Sequence, residues 1–199
     1  NVESIYIFGE CDLNKSLLEF LCKNKIILHF YNYYEYYIGS FYPREYLNSG
    51  FVTLRQSEYY LDYEKRIELA RAFVSGAIQN IIKVLKYYNR KKYNLQREID
   101  HIDDMIFTLG NQDTIDKIMA IEGNVRQQYY NCFNKILDDK DFVFTCRTKR
   151  PPKDRINSLI SFGNSMLYTL TLSQIYQTQL DPRIGYLHST NDRRFSLNL

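Results

Sequence analysis

The chain of 199 residues has no tryptophan, four cysteines, four prolines and eight glycines. Cys11, Cys22, Cys132 and Cys146 form neither a C-x-x-C pair nor a dense framework. They therefore read as reduced thiols of a cytoplasmic protein, with no zinc knuckle. The few glycines make neither GxxxxGK[ST] nor GxGxxG, and none flanks a nucleophilic serine. That argues against ATP hydrolysis, dinucleotide redox chemistry and α/β-hydrolase chemistry. No uncharged apolar run approaches the roughly 20 residues of a membrane helix. No basic segment leads into an apolar stretch as in a secretory signal. Membrane partners are not expected. An initiator methionine is also missing, since Asn1 comes first, and the sequence reads as an internal piece of a longer protein.

What is present is globular in character: 45% apolar and 25% charged residues, with 19 tyrosines and 12 phenylalanines. Such a tyrosine load can fill a core and still place hydroxyls in a wet groove. The net charge of +3 is small, and its distribution says more than its size. Residues 1–60 carry −2, residues 61–110 carry +2 and residues 111–199 carry +3. Arg147, Lys149, Arg150, Lys153 and Arg155 oppose only Asp154 within nine residues, a candidate phosphate-binding patch.

Hydrophobic periodicity divides the chain in two. Residues 2–8, 26–30 and 36–41 read as short strands. Between the first two lies an amphipathic helix capped by Asn14, with Leu17, Leu18, Phe20 and Leu21 inward. Gly39 marks a bulge or close approach. Ser49-Gly50 and the polar residues to about 57 read as a linker. Beyond it, Leu61, Ile67, Ala70, Val74, Ala77, Ile78, Ile81 and Leu85 step by three and four, the stripe of a long helix. Further helices are expected over 95–109, after an Asp113 cap through Phe133, and over 153–177, followed by a loop-rich tail. The fold class is α+β: residues 1–58 form a partial N-terminal β-rich lobe with a linker, and residues 59–199 a larger all-helical domain.

Within the third expected helix Glu122 lies on the Ile115–Ile118–Met119 side and is followed by Gly123. Glycine there costs up to about 1 kcal/mol and admits a close neighbour or ligand. Arg126, one turn on, makes either a plain surface pair with Glu122 or an orienting contact for a carboxylate that faces metal and phosphate. His29 reads as a packed strand histidine, and His101, among Glu98, Asp100, Asp103 and Asp104, as part of a solvated helix face. His188 differs: it sits in a loop near Arg193 and Arg194, and reads either as an ordinary surface histidine or as one suited to metal ligation or proton transfer. Asn157, Ser161, Asn164 and Ser165 line one side of the last helix, either a wet face or a row of donors beside a phosphodiester.

These features occur in a specific order. Ala120-Ile121-Glu122-Gly123, Arg126 and Tyr129-Tyr130 come first, then Arg150-Pro151-Pro152, Asp154, Asn157 and Ser161-Phe162-Gly163. Leu180-Asp181-Pro182, Gly185, Leu187-His188 and Arg194-Phe195-Ser196-Leu197 close the set. The order strongly resembles the CRISPR-associated integrases of the spacer-acquisition module. Ile7-Phe8-Gly9, Gln56, Tyr63, Lys65-Arg66 and Ala70-Arg71 extend the likeness over the whole chain. The resemblance implies an N-terminal β-rich dimerisation domain, a helical catalytic domain and a metal-dependent DNA endonuclease and integrase. Such an enzyme inserts captured fragments into a CRISPR array by phosphodiester transesterification.

It further implies a homodimer, a small ferredoxin-like CRISPR adaptation protein as partner, and double-stranded DNA as substrate. The metal would be Mg²⁺ or Mn²⁺, held by a Glu–His–Asp set in which Glu122 and His188 match. The aspartate would follow Ser196-Leu197-Asn198-Leu199, just past the end of the sequence. On this reading Glu122, His188 and Asn157 are catalytic, with Asn157 near the scissile phosphate. Arg126, Arg147, Arg150, Lys153, Arg155, Arg193 and Arg194 contact DNA. The competing expectations are a DNA-holding or assembly subunit of the same fold, or a helical RNA-binding module.

Overall fold

A computed structural model of the chain describes residues 2–43, 49–190 and 195–199. Three strands, β1 (Ser4–Ile7), β2 (Ile27–Tyr31) and β3 (Tyr37–Phe41), form one sheet in the order β1-β2-β3. β1 and β2 are parallel, joined by helix α1 (Lys15–Asn24), and β2 and β3 are antiparallel. Asn14 caps α1 as expected, its side chain accepting from Leu17 N at 2.8 Å. A register irregularity falls at Phe30–Tyr31, opposite Gly39. An added Cβ at Gly39 would meet nothing within 4 Å, so a bulge is present and a close approach is not.

The central strand is buried on both faces. Leu28 joins Leu21 and Ile26 in an apolar cluster beneath α1. The residues that alternate with it, His29 and Tyr31, face the other way, onto helix α7 (Arg155–Tyr176). His29 Nε2 lies 2.7 Å from Ser173 Oγ and Nδ1 lies 2.6 Å from Ser40 Oγ. Tyr31 Oη lies 2.5 Å from Thr169 Oγ1, and Tyr42 donates to the Tyr176 carbonyl. The strand lobe is thus seated on the helical part through a satisfied polar seam.

Neutral His29 suits that seam, because one ring nitrogen donates while the other accepts. Burial lowers its pKa to about 4 from the ordinary 6.5. Between those values the unfolded chain carries the proton and the folded chain does not. Stability should therefore fall as pH drops from about 6.5 to about 4, by on the order of 3 kcal/mol at most. Urea unfolding across this range, compared with His29→Gln, measures it: the variant should lose that part of the slope.

The helical part contains α2 (Gly50–Leu61), α3 (Tyr63–Tyr88), α4 (Gln96–Leu109), α5 (Ile115–Asn131), α6 (Phe133–Leu137) and α7. A π-helical turn, Asn89–Tyr93, follows α3. Ile67, Ala70, Val74, Ile78, Ile82 and Leu85 of α3 form the core with Ile99, Ile102 and Leu109 of α4 and Ile118 and Val125 of α5.

Several expectations change. The linker expected to about residue 57 is helical: Ser49 caps α2, and Gln56 is its buried residue. Asp62 breaks the long helix by capping α3, which leaves Leu61 80% exposed. Ala77 faces solvent, while Ile82 is in the core. Thr114, not Asp113, caps α5, and Asp113 pairs with Lys117 instead. Phe133 belongs to α6, beyond a break at Cys132. All four cysteines are free thiols. No described helix is long and apolar enough to cross a membrane.

Candidate functional site

α5 places Glu122 between two core anchors, one turn after Ile118 and three residues before Val125. The carboxylate is therefore drawn towards the core, and its side chain is only 18% exposed. Arg126, one turn on, pairs with it through Nη2 and Oε1. Gly123 lies at the edge of a cleft of about 340 Å³ whose cationic lining is Arg126, Arg147 and Lys149. No protein atom would touch a Cβ at Gly123. Among the described residues the close protein neighbour expected there is absent, and the bare backbone faces the cleft.

The opposite wall is the loop before α7, and two asparagines hold it. Asn134 clasps Phe144, donating to its carbonyl and accepting from its N–H, both at 2.7 Å. Asn157 is fully buried. Its Oδ1 accepts from Arg147 Nη1 at 2.8 Å and Thr148 N at 3.0 Å. Its Nδ2 donates to the Cys146 carbonyl at 2.8 Å and to Asp154 at 2.6 Å. Every position of the amide has a protein partner. Asn157, expected beside the scissile phosphate, is placed where its amide fastens loop 146–148 to the start of α7. Asp154 caps α7 through Asn157 N, which locks the same corner. Asn134 carried no signal in the sequence.

The cations expected on DNA divide accordingly. Arg147, half-buried on the cleft wall, is bonded to Asn157 and to Ser161 Oγ at 2.9 Å, and Arg126 is held by Glu122. Arg155 pairs with Asp141 at 3.2 Å, and Arg150 lies over the Tyr36 ring. Lys149 and Lys153 are exposed and make no ion pair among the described residues. Arg193 and Arg194 lie outside the described residues.

His188 sits half-buried in the tail loop. That loop is pinned at several points. Asp181 N donates to Gln56 Oε1 at 2.7 Å, and Arg66 Nε donates to the Tyr186 carbonyl at 2.9 Å. Gly185 N donates to Ser196 Oγ at 2.9 Å. Leu187 packs on the cluster to which α5 contributes Ile118 and Val125. The structure therefore brings the His188 loop and the Glu122 helix to one hydrophobic cluster.

Gly185 is where a side chain has no room, because a Cβ would run into the Ser196 backbone. Gly185→Ala should cost about 1–3 kcal/mol by forcing the loop off that strip of backbone. A lowered thermal midpoint in the intact protein would register it, and an unchanged one would deny the tight approach.

A carboxylate oxygen and an imidazole nitrogen are suitable donors for Mn²⁺ or Mg²⁺. They are an incomplete set, because no group of three His, Cys, Asp or Glu that could hold a metal exists among the described residues. The acidic helix face around His101 is tied up otherwise. Glu98 pairs with Lys135 at 2.5 Å, Asp100 accepts from Gln96 at 2.7 Å and Asp103 faces Lys86 at 3.8 Å.

The model of the family "CRISPR associated protein Cas1" matches residues 1–199. A protein of Thermodesulfovibrio yellowstonii named a CRISPR-associated endonuclease Cas1 is 59% identical over 199 residues, which make all of this chain and 60% of that protein. A solved Cas1 structure from Thermotoga maritima superposes with a TM-score of 0.86 at 49% identity, over 100% of this chain and 62% of its own. A casposase solved with its integration product shares the fold, with a TM-score of 0.82 at 22% identity over 100% of this chain and 55% of its own. The chain thus spans about three-fifths of the length of the curated relatives it matches. By its match over the full 199 residues, the chain belongs to the Cas1 family of CRISPR-associated proteins.

Proposed function

We propose that the intact protein is a divalent-metal-dependent DNA endonuclease and integrase that joins captured fragments to a CRISPR array. The observation that carries this reading is the half-buried Glu122, paired with Arg126, which together with Gly123 lines a cation-rich cleft. In the reaction a 3′-hydroxyl attacks an array phosphodiester; the new P–O bond forms as the old one breaks and another 3′-hydroxyl leaves.

Glu122 and His188 would hold Mg²⁺ or Mn²⁺. When bound, such an ion polarises the phosphoryl oxygen and offsets the charge that gathers on it. Arg126 keeps the Glu122 carboxylate aimed. Asn157, through Arg147 and Thr148, keeps the far wall of the cleft in place. Lys149, which lines the cleft, together with Arg150, Lys153 and Arg155 and the tail residues Arg193 and Arg194 would be the contacts to the DNA backbone. Contacts of this kind read phosphate and little sequence, which suits an enzyme that accepts arbitrary fragments. A homodimer assembled through the strand lobe, acting with a small ferredoxin-like adaptation protein on cytoplasmic DNA, completes the proposal.

The second reading is a DNA-holding subunit, favoured by the Arg126 pairing and the two-donor set. Both readings require the patch, and salt dependence tests it. Lys149→Ala with Lys153→Ala should lower the slope of log affinity against log salt by about 2, most of the loss showing at low salt. An unchanged slope for duplex DNA would remove the patch from the interface.

A further inference from the structure

Ser196 is 3% exposed and opens a 3-10 turn, Ser196–Asn198, near the end of the chain. Its hydroxyl donates to the Arg183 carbonyl at 2.7 Å and accepts from Gly185 N at 2.9 Å. Both capacities of the hydroxyl are used, on backbone groups two residues apart. The loop's own backbone bond, Ile184 N to the Asp181 carbonyl at 3.2 Å, stops one residue short of Gly185. The serine therefore closes a turn that the backbone leaves open. Leu197 N, donating to the Pro182 carbonyl at 3.0 Å, holds the same two strips together. The absent side chain of Gly185 is what lets them lie so close.

The tail is fixed on its other side by α7. Asn198 Nδ2 donates to the Tyr168 carbonyl at 3.1 Å, and the Phe195 ring stands edge-on to Tyr176, the centroids 6.4 Å apart. The place of Gly185, three residues before His188, is thus referred to α7 through one hydroxyl. Arg66 also grips this loop, at the Tyr186 carbonyl, but through a long side chain with many torsions. Serine has a single torsion between backbone and hydroxyl carbon, so its grip is stiffer and orders less freedom. Leu187, next to His188, packs on the cluster shared with Ile118 and Val125, which flank Glu122 along α5. Two ligands of one ion must be held to within roughly 0.5 Å, by side chains locked in their own bonds.

We infer that Ser196 is a positioning residue: by bridging Arg183 and Gly185 it sets where His188 stands relative to Glu122, and so how tightly the pair holds a divalent cation. The inference rests on the shared-cation reading proposed above and adds to it a residue whose hydroxyl is fully used within the fold.

The test uses the intact protein with Mn²⁺ alone, followed by electron paramagnetic resonance. Ser196→Ala should weaken Mn²⁺ binding about tenfold and diminish the nitrogen coupling from His188. In the His188→Gln background the same change should have no further effect on affinity, because Ser196 acts through that imidazole. Ile82→Ala, a buried change at the far end of α3 from Arg66, should lower the thermal midpoint and leave Mn²⁺ affinity unchanged. Without metal, the Gly185 amide of the wild type should exchange slowly with solvent, since its acceptor is a buried hydroxyl. Fast exchange of that amide overturns the inference whether or not the serine variant folds. Unchanged Mn²⁺ affinity in Ser196→Ala, or an equal loss in Ile82→Ala, also overturns it. A wild type with no nitrogen coupling from His188 would instead overturn the shared-cation reading, so the two failures are distinguishable.

Discussion

Replacing Asn157 with leucine should destabilise the intact protein by about 3–4 kcal/mol, although the two side chains are close in volume. Leucine neither donates nor accepts. It would leave Thr148 N–H, the Cys146 carbonyl, one Asp154 oxygen and one Arg147 nitrogen short of a partner within the fold. Each buried polar group so stranded costs about 1–3 kcal/mol, reduced where water can enter. Arg147 keeps Ser161 and Thr148 as partners, which holds the total below the sum of four such penalties. Asn157→Asp separates the causes. It preserves acceptance from Arg147 but loses the donation to Cys146 and sets a second carboxylate against Asp154, so it should be no better tolerated. Urea unfolding measures the stability, and limited proteolysis of residues 145–149 reports release of the loop. A shift below about 1 kcal/mol would mean that the loop is held by something else.

Much of this fold was legible in the sequence because its signals are local. Asn14 three residues before Leu17, the three-and-four stepping of α3, and Pro151-Pro152 before α7 each act within a turn or two of chain. His29 was legible as a packed residue from its apolar, β-branched surroundings. α2 was misread because its buried residue is the polar Gln56, bonded to the Asp181 backbone 125 positions away. A helix anchored in that way exposes Phe51 and Leu54 and shows no clear apolar stripe.

The candidate site divides along the same line. Glu122 stood out because a carboxylate between core positions is costly, and Arg126 lay within helical reach. The roles of Asn134 and Asn157 were not legible. Their bonds reach carbonyls and amides ten or so positions off, where no periodicity applies. Charge density along a sequence does not reveal that Arg147 is also tied to Asn157 and Ser161.

Glu122 and His188 carry the account's central claim, and their removal should have the largest effect on activity. Glu122→Gln in the intact protein should lower metal-dependent DNA cleavage and strand joining by roughly 100-fold or more, the several kcal/mol a catalytic cation supplies. Stability should hardly move. Arg126 is 54% exposed in its side chain, so the lost partner is replaced by water at a cost of at most about 1 kcal/mol. That combination separates an enzyme from a holding subunit, in which the same change would leave chemistry untouched.

The most direct measurement is electron paramagnetic resonance of Mn²⁺ added to the intact protein with ¹⁵N-labelled histidine. One bound ion should show a nitrogen coupling that vanishes in His188→Gln. Its affinity should fall about as far in Glu122→Gln, in His188→Gln and in the double variant, as expected for two ligands of one ion. A nitrogen coupling that persists without His188, or losses that add as they would for separate ions, would contradict the claim that these two side chains share a cation.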